Sequence, residues 1–250
     1  MKLIVNADDY GKSMGINHGI IDAYKYGVLT STTIMANGKY FEHGISLLQE
    51  NPGLGAGVHL VLTYGKPLTA EVSTITDENG NFFEIGELIE RLDSFDEKEI
   101  EAEFRAQIKK VEDCGIRISH LDGHHHVHTM GTVLNVTKKL AKELNVPIRW
   151  NIERTEEVLN GKDIKTTEDF SAYWYDENVT EENFINIMKS ALDKDSMEIM
   201  CHPAYIDNYL YTVSLYSLPR MVELEILMSN KIMDFVKNNQ IQLINYHELY

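Results

Sequence analysis

Basic residues, cysteines and long apolar runs are what this chain has little of. Its 250 residues carry 23 Lys and Arg against 39 Asp and Glu, a formal charge of −16. A surface of that sign repels phosphate backbones and anionic lipid, so neither nucleic acid nor a membrane is an expected partner. Only two cysteines occur, Cys114 and Cys201, with no CxxC. That leaves no disulfide framework and reads as two buried thiols. No stretch approaches the roughly 20 apolar residues that span a bilayer, and the opening Met-Lys-Leu-Ile-Val-Asn is too short an apolar run for a signal peptide. A cytoplasmic protein is expected. No internal repeat, low-complexity segment or Pro/Gly/Ser-rich linker divides the sequence, so residues 1–250 read as one domain.

Short apolar runs are what the chain does have. Leu3–Val5, Leu29–Met35, Gly55–Leu62, Arg117–His120, Val146–Trp150, Met197–Cys201 and Ile241–Asn245 read as strands. Helices are expected between them. One, capped by Ser13 and closed by Gly27, carries Ile16, Ile20, Ile21 and Tyr24 on one face; others span 38–49, 84–92, 97–113, 133–144, 181–193 and, as one long helix, 219–238. Residues 63–83 lack periodicity and read as an excursion that serves binding, and 151–179 read as mostly irregular. About seven strands alternating with helices predict an α/β fold, a parallel sheet closed in the manner of a TIM barrel.

Half of the ten histidines fall in one stretch of nine residues, His120-Leu-Asp-Gly-His-His-His-Val-His128. A solvated polar loop is the bland reading. An engineered tag is a pure terminal run, whereas this cluster is internal, interrupted and preceded by an apolar-alternating segment. Imidazole with carboxylate is divalent-metal chemistry. Residues two apart on a strand lie roughly 6.6 Å apart on one face and residues four apart roughly 13 Å, so His124 pairs with His126, or with His128 only across a turn. Gly123 permits a bend before His124. Spacing alone does not choose among the three.

The other polar clusters also follow predicted strands: Asp8 and Asp9 after the first, His59 late in the third, His202 after a later one. In parallel barrels that end of the strands is where catalytic groups gather. Two adjacent carboxylates divide naturally into a metal ligand and a proton acceptor. A lone His in an apolar strand such as His59 is ordinarily a hydrogen-bonded core residue, and gains meaning here from sharing that rim. His202 precedes Pro203, which restrains its backbone.

Taken together, Asn6-Ala-Asp-Asp-Tyr-Gly11, Thr30-Ser-Thr-Thr33, His59, Gly65-Lys-Pro-Leu-Thr69, His120–His128 and Cys201-His-Pro-Ala-Tyr-Ile-Asp207 resemble the YdjC family, and within it the chitooligosaccharide (diacetylchitobiose) deacetylases. The resemblance runs the length of the chain. It departs at Gly123, where some relatives carry Ser, a position that is not a ligand. It implies a TIM-barrel-like deacetylase fold, a divalent ion, and removal of acetate from N-acetylglucosamine units of short or phosphorylated chitin sugars. It further implies Asp8 as base, with Asp9, His59 and His124 as metal ligands. Magnesium is the ion by resemblance, and zinc suits the ligand types. In that scheme His202 is the general acid and Asp122 orients a ligand histidine. Arg149 and Arg220 are candidates for a sugar phosphate. Tyr10, Trp150 and Tyr205 are candidates for stacking on sugar faces, against core packing as the default. A homodimer is expected, although no segment of the sequence points to its interface. Two other classes compete: a metal-independent glycoside hydrolase, which needs two carboxyls about 5–10 Å apart, and a non-catalytic metal- or sugar-binding protein.

Overall fold

A computed structural model describes residues 1–70, 72–149 and 164–250. Seven parallel strands form its sheet: β1 (Lys2–Tyr10), β2 (Ser31–Ile34), β3 (Gly55–Leu60), β4 (Ile118–Gly123), β5 (Asp169–Ser171), β6 (Ser196–Cys201) and β7 (Gln242–Leu243). The order is β4-β3-β2-β1-β6-β5, with β7 set against the start of β1. The carbonyls of Met1, Leu3 and Val5 accept from Gln242, Ile244 and Thr30, so β7 and the residues leading into β2 share one edge of β1 while β6 takes the other. The first strand is therefore the centre of the sheet. Its second to ninth residues are all buried, as a strand covered on both faces requires.

Alternation sorts β1 into two environments. Leu3, Val5 and Ala7 join the large apolar core beneath the helices, whereas Ile4 belongs to a small separate core with Ile244, Tyr246 and Leu249. Asn6 and Asp8 share the Ile4 face, which is the inside of a curl. A single guanidinium demonstrates that curl. Arg149 contacts Asp8 on β1, Asp122 on β4 and Glu198 on β6 at 2.7–2.9 Å. In a flat sheet of this order β4 and β6 would lie about 19 Å apart.

The helices that cover the outside are α1 (Met14–Tyr26), α2 (Phe41–Gln49), α3 (Ile85–Arg91), α4 (Glu97–Glu112), α5 (Gly131–Leu144), α6 (Glu181–Ser190), α7 (Asn208–Val213), α8 (Leu218–Leu227) and α9 (Asn230–Asn238). Ser13 caps α1 as the sequence predicts, its hydroxyl accepting from Ile16 N at 3.1 Å. None of the described helices is long and apolar enough to cross a membrane.

Three expectations need correction. The strand at 146–150 reduces to one parallel bridge between Ile148 and Leu121, beside a proline that offers no amide to a ladder; Trp150 lies outside the described residues. A strand instead forms at Asp169–Ser171, too short for any period to reveal. The expected helix at 219–238 is two, because the Ser229 hydroxyl caps a fresh start at Ile232 N and ends continuity.

Candidate metal and active site

The C-terminal ends of β1, β3, β4 and β6 open on a cavity of about 580 Å³ lined by Asp8, Asp9, His59, His124, His202 and Arg220 among others. Adjacent residues on a regular strand face opposite ways, yet Asp8 and Asp9 both reach it. The reason lies in the backbone. Asp9 is left-handed, at φ 69°, and the β1–β2 register shifts between Ala7 and Tyr10. A break in the ladder thus turns the second carboxylate into the same space as the first. Left-handed backbone recurs in the histidine turn at His125 and His126 (φ 53° and 57°). Such strain in non-glycine residues collects at functional sites. Gly123, by contrast, is extended at φ −163°, so the expected bend falls on the two histidines rather than on the glycine.

Three groups converge. His124 Nδ1 lies 3.0 Å and His59 Nε2 3.7 Å from Asp9 Oδ1, and the three residues each place one donor atom within 4.8 Å of the others. Asp9 Oδ1 is buried with no hydrogen-bond partner. An orphaned carboxylate oxygen is costly, and a cation between it and two imidazole nitrogens would satisfy it. His59 is aimed by its other nitrogen. Its Nδ1 lies 2.8 Å from Asp122 Oδ1, and Thr33 Oγ1 donates to Asp122 Oδ2 at 3.0 Å. A second group, Asp8, His59 and Asp122, is equally compact, but Arg149 already neutralises both of its carboxylates. The donor set that fits a divalent ion is Asp9, His59 and His124.

Of the histidines left open by spacing, the structure brings only His124 to Asp9 and His59 among the described residues. His125 packs on it, ring centroids 4.0 Å apart, with Nδ1 3.0 Å from Thr63 Oγ1. His126 meets the edge of Phe170, and His128 turns to the Arg149 carbonyl. His120 stacks on Tyr246 inside the curl.

Charges follow from burial and pairing. Burial alone would raise Asp9; Lys12 and Arg220 outweigh it and hold the carboxyl well below the usual range. Asp8 is likewise raised by burial and pulled far down by the two-pronged Arg149 contact, 2.7 Å on each oxygen. Burial pushes His124 down to about 3 and, with the Arg220 charge, His202 to about 4. His59 moves the other way: burial lowers it, but Asp122 and Asp8 raise it past its ordinary value. The field around Nε2 therefore favours a positive charge there.

Not every expected contact is found. Arg149 is fully buried among three carboxylates and is not a lining residue, so its donors cannot meet a substrate phosphate. Tyr205 is 44% exposed on the outer face, its hydroxyl donating to Asp22, away from the cavity. Tyr10 is core, its hydroxyl bonded to the Gly44 carbonyl. Arg220 does line the cavity, where its Nη2 donates to Asp9 Oδ2. Asp8 and His202 face each other, His202 Nε2 4.0 Å from Asp8 Oδ2. Sequence reasoning missed Lys12, buried 3.8 Å from Asp9 Oδ2, whose signal was its place three residues further along the same loop. It also missed the aromatic wall of Tyr175 and Tyr216, which carries no motif.

A model of the YdjC-like protein family matches residues 2–238. A carbohydrate deacetylase of Brevibacillus brevis is 42% identical over 250 residues, all of both chains. A structure from Enterococcus faecalis V583, described as a cellobiose-phosphate cleavage protein, superposes with a TM-score of 0.94 at 33% identity, over 99% of this chain and 98% of that one. The half-barrel of a family 4 carbohydrate esterase from Streptomyces lividans shares the fold, with a TM-score of 0.54 at 10% identity, over 97% and 91% of the two chains.

Proposed function

This chain belongs to the YdjC-like family, and on that premise we propose that it is a metal-dependent carbohydrate deacetylase. Its substrates are N-acetylglucosamine units of short chitooligosaccharides or their phosphates, from which it releases acetate. The observation that carries the reading is the buried, unpartnered Asp9 Oδ1 between His59 Nε2 and His124 Nδ1.

Amide hydrolysis needs a nucleophilic water, stabilisation of the tetrahedral oxyanion and a proton for the leaving amine. Asp9, His59 and His124 would hold a divalent ion, which when bound would supply acidity to a water and polarity to the acetyl carbonyl; two histidines and a carboxylate suit zinc, while the family resemblance allows magnesium. Asp8 receives the water's proton. The Arg149 contact keeps Asp8 ionised at neutral pH, and by the same token makes it a weak base that works only on acidified water. His202 is neutral at rest, because burial lowers it to about 4. The proton it gives the sugar nitrogen is thus one it collects during the reaction, and Asp8 Oδ2 is the neighbour it collects from. Arg220 steadies Asp9 by occupying its second oxygen.

Glycoside hydrolysis would leave these imidazoles without work, and a mere binding protein would leave Asp8 and His202 without any. The test is acetate release from N,N′-diacetylchitobiose and its phosphate by chelator-treated protein, before and after adding zinc, cobalt or magnesium. Turnover that survives metal removal, or free monosaccharide as the product, overturns the proposal.

A further inference from the structure

His202 has little of its own to hold it. Its Nδ1 is buried without a hydrogen-bond partner, and its Nε2 stops 4.0 Å short of Asp8. Pro203 restrains the backbone but leaves the ring free to turn. What surrounds it is tied to it through one residue of α8, with Asp176 N also donating to the Tyr216 hydroxyl at 3.2 Å and Arg220 Nε to the Tyr216 carbonyl at 2.8 Å. Glu223 is fully buried; one of its oxygens accepts the His202 backbone N–H, and the other accepts the Tyr216 hydroxyl. Tyr216 stacks on Tyr175 with ring centroids 4.0 Å apart and planes at 11°. Both rings meet the His202 imidazole edge to face, at 5.6 and 5.5 Å. All three rings line the cavity.

We propose that Glu223, acting through Tyr216, is a positioning residue for His202. One carboxylate fixes where the chain leaves β6 and which way the aromatic wall turns the imidazole. A buried acid is an expensive means of mere packing, and burial pushes this one up to about 7. An apolar residue would fill the space at less cost but would hold neither the amide nor the hydroxyl. The inference rests on the proposed function only where it makes His202 the proton donor.

Two variants test it. Tyr216→Phe removes one hydroxyl and keeps the stacked ring, and Glu223→Gln keeps the volume. Each is expected to lower kcat on N,N′-diacetylchitobiose about 10- to 100-fold, with KM within about threefold and cobalt affinity unchanged. In histidine-labelled protein the His202 imidazole resonance, identified by its loss in His202→Gln, is expected to shift or broaden in both variants. An unmoved resonance overturns the proposal whatever happens to kcat, because a lost rate would then have another cause. Unchanged kcat in both overturns it as well. Wild-type protein that releases no acetate would sink the deacetylase reading alone, and the resonance would still decide the positioning.

Discussion

His59 and Asp122 are register partners across β3 and β4, and their side chains meet at 2.8 Å inside the curl. The bond fixes the ring so that Nε2, not Nδ1, faces Asp9. Asp122→Ala is expected to weaken zinc or cobalt binding 10- to 100-fold, the usual cost of losing a partner behind a metal histidine. Calorimetric titration of the metal-free protein measures it; affinity equal to wild type would show that His59 needs no such support.

Asp8→Asn keeps the shape and the Asn6 and Arg149 neighbours but removes the carboxylate proposed as proton acceptor. Metal binding should persist while kcat falls roughly 10²- to 10⁴-fold. Acetate release and cobalt titration on the same sample separate the two. Loss of metal with activity would place Asp8 among the ligands instead.

Arg149→Met leaves Asp8, Asp122 and Glu198 buried without their common cation. Breaking a buried network on one side costs on the order of 3–5 kcal/mol, read as a lower urea midpoint. A variant as stable as the parent, but weaker only towards phosphorylated sugar, would return Arg149 to the substrate.

Acid should unfold the metal-free protein early. Burial holds His124 and His126 near 3 and His202 near 4, and holds His120 and His128 well below their ordinary 6.5. Between about pH 6.5 and 4 the unfolded chain binds protons at these five positions that the folded chain refuses, so stability falls as pH falls. Glu198 and Glu223, raised by burial to about 7, run the other way: folded they take up protons first, and they add stability as pH drops from 7 towards 4.5. Five outweigh two. The urea midpoint of chelator-treated protein is expected to be lower at about pH 5 than at about pH 7.5, and a higher one would contradict the buried-neutral assignment.

The sequence made the parallel sheet legible because its strands are covered on both faces and read as plain apolar runs. It also showed which strand ends bear chemistry. What it hid depends on conformation or on distant partners. No spacing rule foretells that Asp9 turns left-handed and joins Asp8 in one cavity, or that His125 and His126 take the strain instead of Gly123. Arg149 looked like an exposed anion binder because its three carboxylates come from residues 8, 122 and 198. Tyr216 and Glu223 carry no motif, since their work is done through another residue's ring and amide.

The central place of β1 sets an order of events on the ribosome. Asp8 emerges 141 residues ahead of Arg149, and Asp9 emerges 211 ahead of Arg220. At about 5–20 residues per second Asp8 waits roughly seven to thirty seconds for Arg149, while Asp9 has only Lys12 beside it until Arg220 follows. Until then the nascent chain has every reason to leave both acids in water, and with them the strand around which its neighbours must assemble. Truncation ahead of α8 should therefore cost the first strand its place, although every residue of that strand is still there.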